Sequence, residues 1–232
     1  MRHAEQLARV CDLYASAVAL KAEGVRLVCS DEKTGIQALE RAAPTKTVQP
    51  GLTERREFEY VRHGTTCLTA NFEVATGEVI APTLAPTRNE ADFAGHVQRT
   101  IATDPDARWI FIVDNLSTHT TETLVRLVAE IEQLDVDLGK KYKHGLLKSV
   151  ETRRTFLTDT THRIRFVYTP KHCSWLNQVE IWFSILARRV LKRSSFTTTT
   201  EANNAILAFI AYFNRILAKP FRWTYTGRAL AA

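Results

Sequence analysis

"WIFIVDNLSTH", residues 109–119, decides how the rest of the chain is read. Ile110 to Val113 are four consecutive apolar residues, the mark of a strand buried on both faces. Asp114 and Asn115 follow with no transition. An acid leaving a core strand either opens the next turn or is held there for chemistry, and the neighbouring elements must separate the two.

Downstream, "THTTETLVRLVAEIEQL" has Leu124, Leu127, Val128 and Ile131 on one face and predicts a helix capped near Thr118 or Thr120. Upstream, "NEADFAGHVQRTIAT" predicts another, with Asn89 as cap and Phe93, Val97 and Ile101 inward. "EYVRHGTTCLTANFEVATGEVIAPTLA" reads as two or three strands, with Thr76–Gly77 a hairpin turn. "VRLVCS" reads as a first strand ending at Asp31, after a helix over residues 4–22 that Gly24 breaks. Beyond the core stretch, "IRFVYTP" is a strand stopped by Pro170. Ser174 is a candidate cap for the helix "WLNQVEIWFSILARRVLK", and a last helix is expected over Glu201 to Leu217. A meander of strands followed by strands alternating with helices suits a mixed sheet with helices on its faces, an α/β layered domain.

Composition narrows the class. At 232 residues, 45% hydrophobic and 24% charged, the chain is of the size and make-up of one soluble domain. No apolar run approaches the roughly 20 residues that span a bilayer. "MRHAEQLARVCDLYASAV" does not have the shape of a secretion signal, so a cytoplasmic protein with no membrane partner is expected. Cys11, Cys29, Cys67 and Cys173 are scattered, which fits reduced thiols. His172–Cys173 is not a metal site without two more ligands. The net charge of +6 is unevenly placed: residues 139–193 carry 13 Lys and Arg against Glu151, Asp159 and Glu180, a local net of +10. Such an excess suits a polyanion surface, although a solvated charged loop has the same composition.

Three carboxylates stand out. Asp31 follows the first strand, and Asp114 follows the core strand. Glu180 sits at the edge of an apolar face made by Trp175, Val179, Trp182, Phe183 and Leu186, with Asn177 a turn earlier. Each has a plain reading as a turn residue, a helix-entry cap or a half-exposed helix acid. Brought together they would repel, and divalent cations with hard oxygen ligands resolve that repulsion. Paired carboxylates of a glycosidase would leave the basic segment unexplained.

"DEKTGIQALER" around Asp31, "IVDNLSTH" around Asp114 and "YTPKHCSWLNQVEIWFSIL" around Glu180 resemble the DDE transposases of bacterial insertion sequences, in the branch related to mariner elements. "AYFNR" and "KPFRWTYTG" are similar to the family's C-terminal pattern, and the resemblance runs from about Leu27 to the end. It implies a ribonuclease H-like α/β fold, a mixed sheet with three antiparallel strands followed by parallel ones and flanked by helices. It also implies metal-dependent DNA cleavage and strand transfer, with Asp31, Asp114 and Glu180 as the triad holding Mg²⁺ or Mn²⁺, two ions in all. DNA ends and a target duplex would be the partners, handled by a homodimer or larger assembly. Lys33 and Gln37 are candidates for contacts with DNA or around the metal. His119 either approaches DNA and metal or caps the next helix. Lys171, His172 and Asn177 are further candidates for DNA contact.

Two departures shape the expectations. Only one helix, residues 1–24 with its linker, precedes the expected catalytic domain over 25–232, where family members carry helix-turn-helix modules. A truncated or split copy, a catalytically idle remnant or a stand-alone endonuclease are therefore the alternatives. Asp114 and Glu180 are 66 positions apart, about twice the mariner-like spacing. The surplus is read as a basic insertion at about 135–163, which would clamp DNA through Lys140, Lys141, Lys143, Lys148, Arg153 and Arg154.

Overall fold

The computed structural model describes residues 3–55 and 57–227. The chain runs α1 (His3–Ala22), β1 (Val25–Arg41), β2 (Tyr60–Glu73), β3 (Val79–Ala85), α2 (Glu90–Ile101), β4 (Arg108–Val113), α3 (Glu122–Ile131), α4 (Val150–Leu157), β5 (Ile164–Tyr168), α5 (Gln178–Leu186) and α6 (Thr199–Tyr212). The strands lie in the order β3-β2-β1-β4-β5. β1, β2 and β3 pair antiparallel, whereas β4 is parallel to both β1 and β5. This is the mixed, helix-flanked sheet that the order of apolar segments predicts.

Strand parity assigns each side chain to a face. Ile110 and Ile112 join Leu27 and Cys29 in a core under α1, α5 and α6, with Tyr14, Trp182 and Ile206. Trp109, Phe111 and Val113 join Val28 and Phe166 in a second core under α2, α3 and α4. Both faces of β4 are covered, so its sequence is an unbroken apolar run. Among the described residues, no helix is long and apolar enough to cross a membrane.

Several boundaries differ from the sequence reading. β1 continues ten residues beyond Asp31, because Ile36 and Ala38 still bury and β2 supplies partners as far as Tyr60, with register shifts after Lys33 and Gln37. Asp31 is therefore inside a strand rather than at its end. The cap of α3 is Thr121, whose hydroxyl accepts from Leu124 N; Ser117–Thr120 form a short 3₁₀ turn instead. Ser174 opens another such turn, and Asn177 takes the position before α5.

The segment from 135 to 163 is folded onto the second core by Leu147, Phe156 and Leu157. It contains α4, capped by Ser149 and Thr152. Its entry is a tight crossing: a Cβ on Gly139 would lie 2.1 Å from His144 O. α1, set apart in the sequence as helix and linker, shares the first core through Val10, Tyr14 and Ala17. The C-terminal motifs are structural too. Asn214 accepts from Val79 N at 2.9 Å and donates to Val79 O at 2.8 Å, and the Phe221 ring stacks on Phe72.

Candidate active site

The parallel ladder between β1 and β4 ends at Cys29↔Ile112. Two residues further along each chain stand Asp31, still within β1, and Asp114, just past the end of β4 and of the paired ladder. Parity places Asp31 on the face that holds Leu27, Cys29, Ile110 and Ile112, the face that α5 covers, and Asp114 is near enough for its charge to act on Asp31. Glu180 occupies the first turn of α5, which Val179, Trp182, Phe183 and Leu186 press onto the sheet. Asp31, Asp114 and Glu180 thus approach one another from β1, the turn after β4 and the start of α5.

Asp31 and Asp114 are held by different devices. Asp31 is 6% exposed. Its Oδ1 accepts from Glu32 N at 2.8 Å, and Asn177 Nδ2 reaches Oδ2 at 3.4 Å and Ser30 O at 2.9 Å. Asp114 Oδ1 accepts from Leu116 N at 2.8 Å and faces His119 Nδ1 at 2.9 Å. His119 is fully buried; its Nε2 lies 3.3 Å from Glu32 Oε2, its ring 4.2 Å from Phe93, and Tyr168 Oη donates to its carbonyl at 2.6 Å.

These contacts set the charges. Burial, then the charges of Asp114 and Glu180, push Asp31 up to about 7, against the Glu32 amide and His119. Burial also raises Glu180, opposed by Lys33 and reinforced by Asp114. For Asp114, burial works upward, but the His119 and Leu116 hydrogen bonds outweigh it and hold the carboxyl below its usual range. Burial disfavours the His119 cation, yet Asp114 and Glu32 outweigh it and raise the imidazole to about 9.

The donor set fits a hard divalent cation in kind: three carboxylates, of which Asp31 resists ionisation through burial and then the nearby Asp114 and Glu180 charges. Among the described residues, no three His, Cys, Asp or Glu side chains close on one point as a ligand shell. Asp31, Asp114 and Glu180 face one site without yet meeting at it.

The other residues singled out in the sequence divide into three groups. Lys33 lies 5.9 Å over the Phe183 ring beside Glu180, and with exposed Gln37 it lines a groove of about 560 Å³ that also takes in Arg41, Tyr60 and Lys192. On the opposite flank Arg154 donates to Asn115 Oδ1 at 2.6 Å, over the Tyr168 ring, and shares a cleft with Lys141 and Thr118. Lys140, Lys143, Lys148, Lys171 and His172 are exposed. Three readings of DNA contact meet a physical objection. Asn177, His119 and Arg153 are buried, and Arg153 spends its guanidinium on Thr120 O and Leu147 O. Such side chains hold the site together and offer DNA no surface. Residue-by-residue reading missed Glu32 and Asn115, each adjacent to a triad acid, because nothing local reveals that one grips His119 and the other Arg154.

The sequence profile of a family described as DDE superfamily endonuclease matches residues 26–202. No curated protein sequence matches the chain. Among solved structures it is similar to a Mos1 transposase paired-end complex with left transposon end, at 17% identity and TM-score 0.53, covering 90% of this chain and 55% of that one. The Mos1 mariner paired end complex with Mn gives 16% and 0.55, covering 91% and 55%. The catalytic domain of Mos1 mariner transposase gives 14% and 0.51, covering 90% and 81%. The chain therefore spans 55% of the length of the transposase chains in both complexes. At these identities the likeness is one of fold, the five-stranded mixed sheet with helices of a ribonuclease H-like domain.

Proposed function

This chain belongs to the DDE superfamily endonucleases, and from that premise we propose that it is the catalytic domain of a DNA transposase, of the bacterial insertion-sequence type its motifs resemble. The carrying observation is the mutual approach of Asp31 in β1, Asp114 just after β4 and Glu180 in the first turn of α5, close enough for their charges to act on one another. The reaction would be hydrolysis of a DNA phosphodiester by water, then attack of the freed 3′-hydroxyl on a target duplex. The catalytic unit would run from about residue 25 to the end, with 135–163 as its basic insertion.

Asp31, Asp114 and Glu180 would hold the divalent cations, Mg²⁺ or Mn²⁺. Bound there, such ions supply nucleophile activation and neutralise charge on the leaving oxygen. The chain's own residues prepare the site. His119 keeps Asp114 ionised and fixes its rotamer, Asn177 anchors Asp31 to the start of α5, and Lys33 offsets the charge of Glu180. DNA would enter along the groove of Lys33 and Gln37 and leave past Lys141 and Arg154, with Lys140, Lys143, Lys148, Lys171 and His172 on its phosphates. The transposon end in the similar Mos1 paired-end complex supports DNA ends as substrate; the chain would handle them as a dimer or larger assembly, in the cytoplasm.

The test is nicking of supercoiled plasmid with Mn²⁺ or Mg²⁺. The wild-type chain should nick, and Asp114→Asn should fall to background while still binding DNA. Metal-dependent nicking that survives this change would sink the assignment of the triad. Nicking without joining of a supplied 3′-hydroxyl end to a target duplex would favour the second reading, an endonuclease, the activity by which its family is described.

A further inference from the structure

The helix that carries Glu180 does not finish as an α-helix. Its continuation, Ala187–Leu191, winds as a π-turn, and α6 continues in the same way over Phe213–Leu217. π-turns are rare, and they recur at functional sites. These two border one groove of about 450 Å³, lined by Arg188, Arg189, Arg193 and Lys219, with Phe213 and Phe221 among its apolar walls. No acid lines it. Among the described residues, none of the four cations forms an ion pair. All four are exposed, so packing does not require them; Leu186 and Val190 hold this part of the chain to the core.

The charge is regional as well as local. From Ile181 to the C-terminus the sequence has eight Lys and Arg and one acid, Glu201. Four like charges around a groove repel one another unless a polyanion neutralises them. Arg188 and Arg189 stand on the π-turn that continues α5, eight and nine residues beyond Glu180, and Arg193 lies just past its end. The groove is therefore outside the reaction centre and joined to it through the helix that carries Glu180.

We propose that this π-turn groove is a second DNA-binding surface, which seats the phosphate backbone of a duplex away from the phosphodiester that reacts. The proposal rests on the transposase reading and adds to it a separate handhold for DNA. Guanidiniums pair with phosphate oxygens in a two-pronged fork, and three of the four cations are Arg. Duplex DNA, with one charge per roughly 3.4 Å of each strand, matches a row of cations better than a single anion does.

The measurement is the affinity of the whole chain for a labelled duplex as salt is varied. Each phosphate contact contributes about 0.9 to the slope of log K against log salt. In R188Q/R189Q/R193Q the slope should shrink by about 2–3, with affinity down at least about tenfold at 0.15 M salt. R188K/R189K/R193K should keep most of the slope, and melting curves of both variants show whether they are folded. A folded glutamine variant with the wild-type slope overturns the proposal, as does loss of binding to anionic vesicles with DNA binding intact. The outcome is separable from the nuclease reading. Plasmid nicking by the wild type with an unchanged variant slope would sink the groove alone. A reduced slope in a protein that never nicks would keep the groove and sink the nuclease.

Discussion

One amide, Asn177, joins the helix that carries Glu180 to the strand that carries Asp31. It is fully buried, so its Nδ2 can serve only the carbonyl of Ser30 and the carboxylate of Asp31. Asn177→Ala removes both bonds and leaves a buried carbonyl unpaired, a cost of about 1–3 kcal/mol. That corresponds to about 2–12 °C in melting temperature for a domain of this size. Nicking should fall about 10²-fold through misplacement of Asp31, with duplex affinity unchanged in a filter-binding assay. A loss of affinity as large as the loss of nicking would make Asn177 a DNA contact instead. The triad itself can be read without DNA. Mn²⁺ at about 100 times its Kd should stabilise the protein by about 2.7 kcal/mol, and the rise in melting temperature should vanish in Asp114→Asn.

At the scale of the element, the edge strand β3 is closed by a side chain from the π-turn after α6. Asn214 takes both the N–H and the carbonyl of Val79, so a motif that looks like part of a helix surface is a backbone clamp. Asn214→Leu keeps the bulk but removes two hydrogen bonds, about 2 kcal/mol together, and should lower the urea midpoint without changing the slope of the transition. The hairpin below it shows the same economy of space. A Cβ at Gly77 would sit 2.0 Å from Lys219 O, and its φ of +76° is already one that favours glycine. The C-terminal segment is therefore packed against the turn, and any side chain at 77 displaces backbone.

At the scale of the whole molecule, Glu73 ties α1, β1 and the β2 turn together. Its buried carboxylate meets Lys21 at 2.9 Å, Arg26, and Thr76 Oγ1 at 2.8 Å. Burial would raise its pKa, but the bonds from Arg26, Lys21 and Thr76 prevail and lower it. A lowered native pKa means that the unfolded chain binds the proton more tightly. The stability Glu73 contributes is complete above its unfolded value of about 4.3 and is lost as pH falls through the depressed native one. Glu73→Gln should flatten this acid limb in a pH series of melting temperatures. At neutral pH it should cost roughly 2–3 kcal/mol, below the usual range for breaking a buried pair, because Arg26 keeps Asp104 at 2.9 Å.

The sequence by itself determined the centre of the molecule: an apolar run at Ile110–Val113, alternating helices around it, and acids at Asp31, Asp114 and Glu180. Burial along a single element is written in local periodicity, which needs no partner to be read. The tertiary structure alone decided that Asp31, Asp114 and Glu180 approach one another, that β1 runs on to Arg41, and that Asn177, His119 and Arg153 are buried. It also decided that Arg188, Arg189 and Lys219 meet around one groove. Those facts depend on which distant segment pairs or packs with which, and a strand, a helix or a cation carries no local mark of its partner.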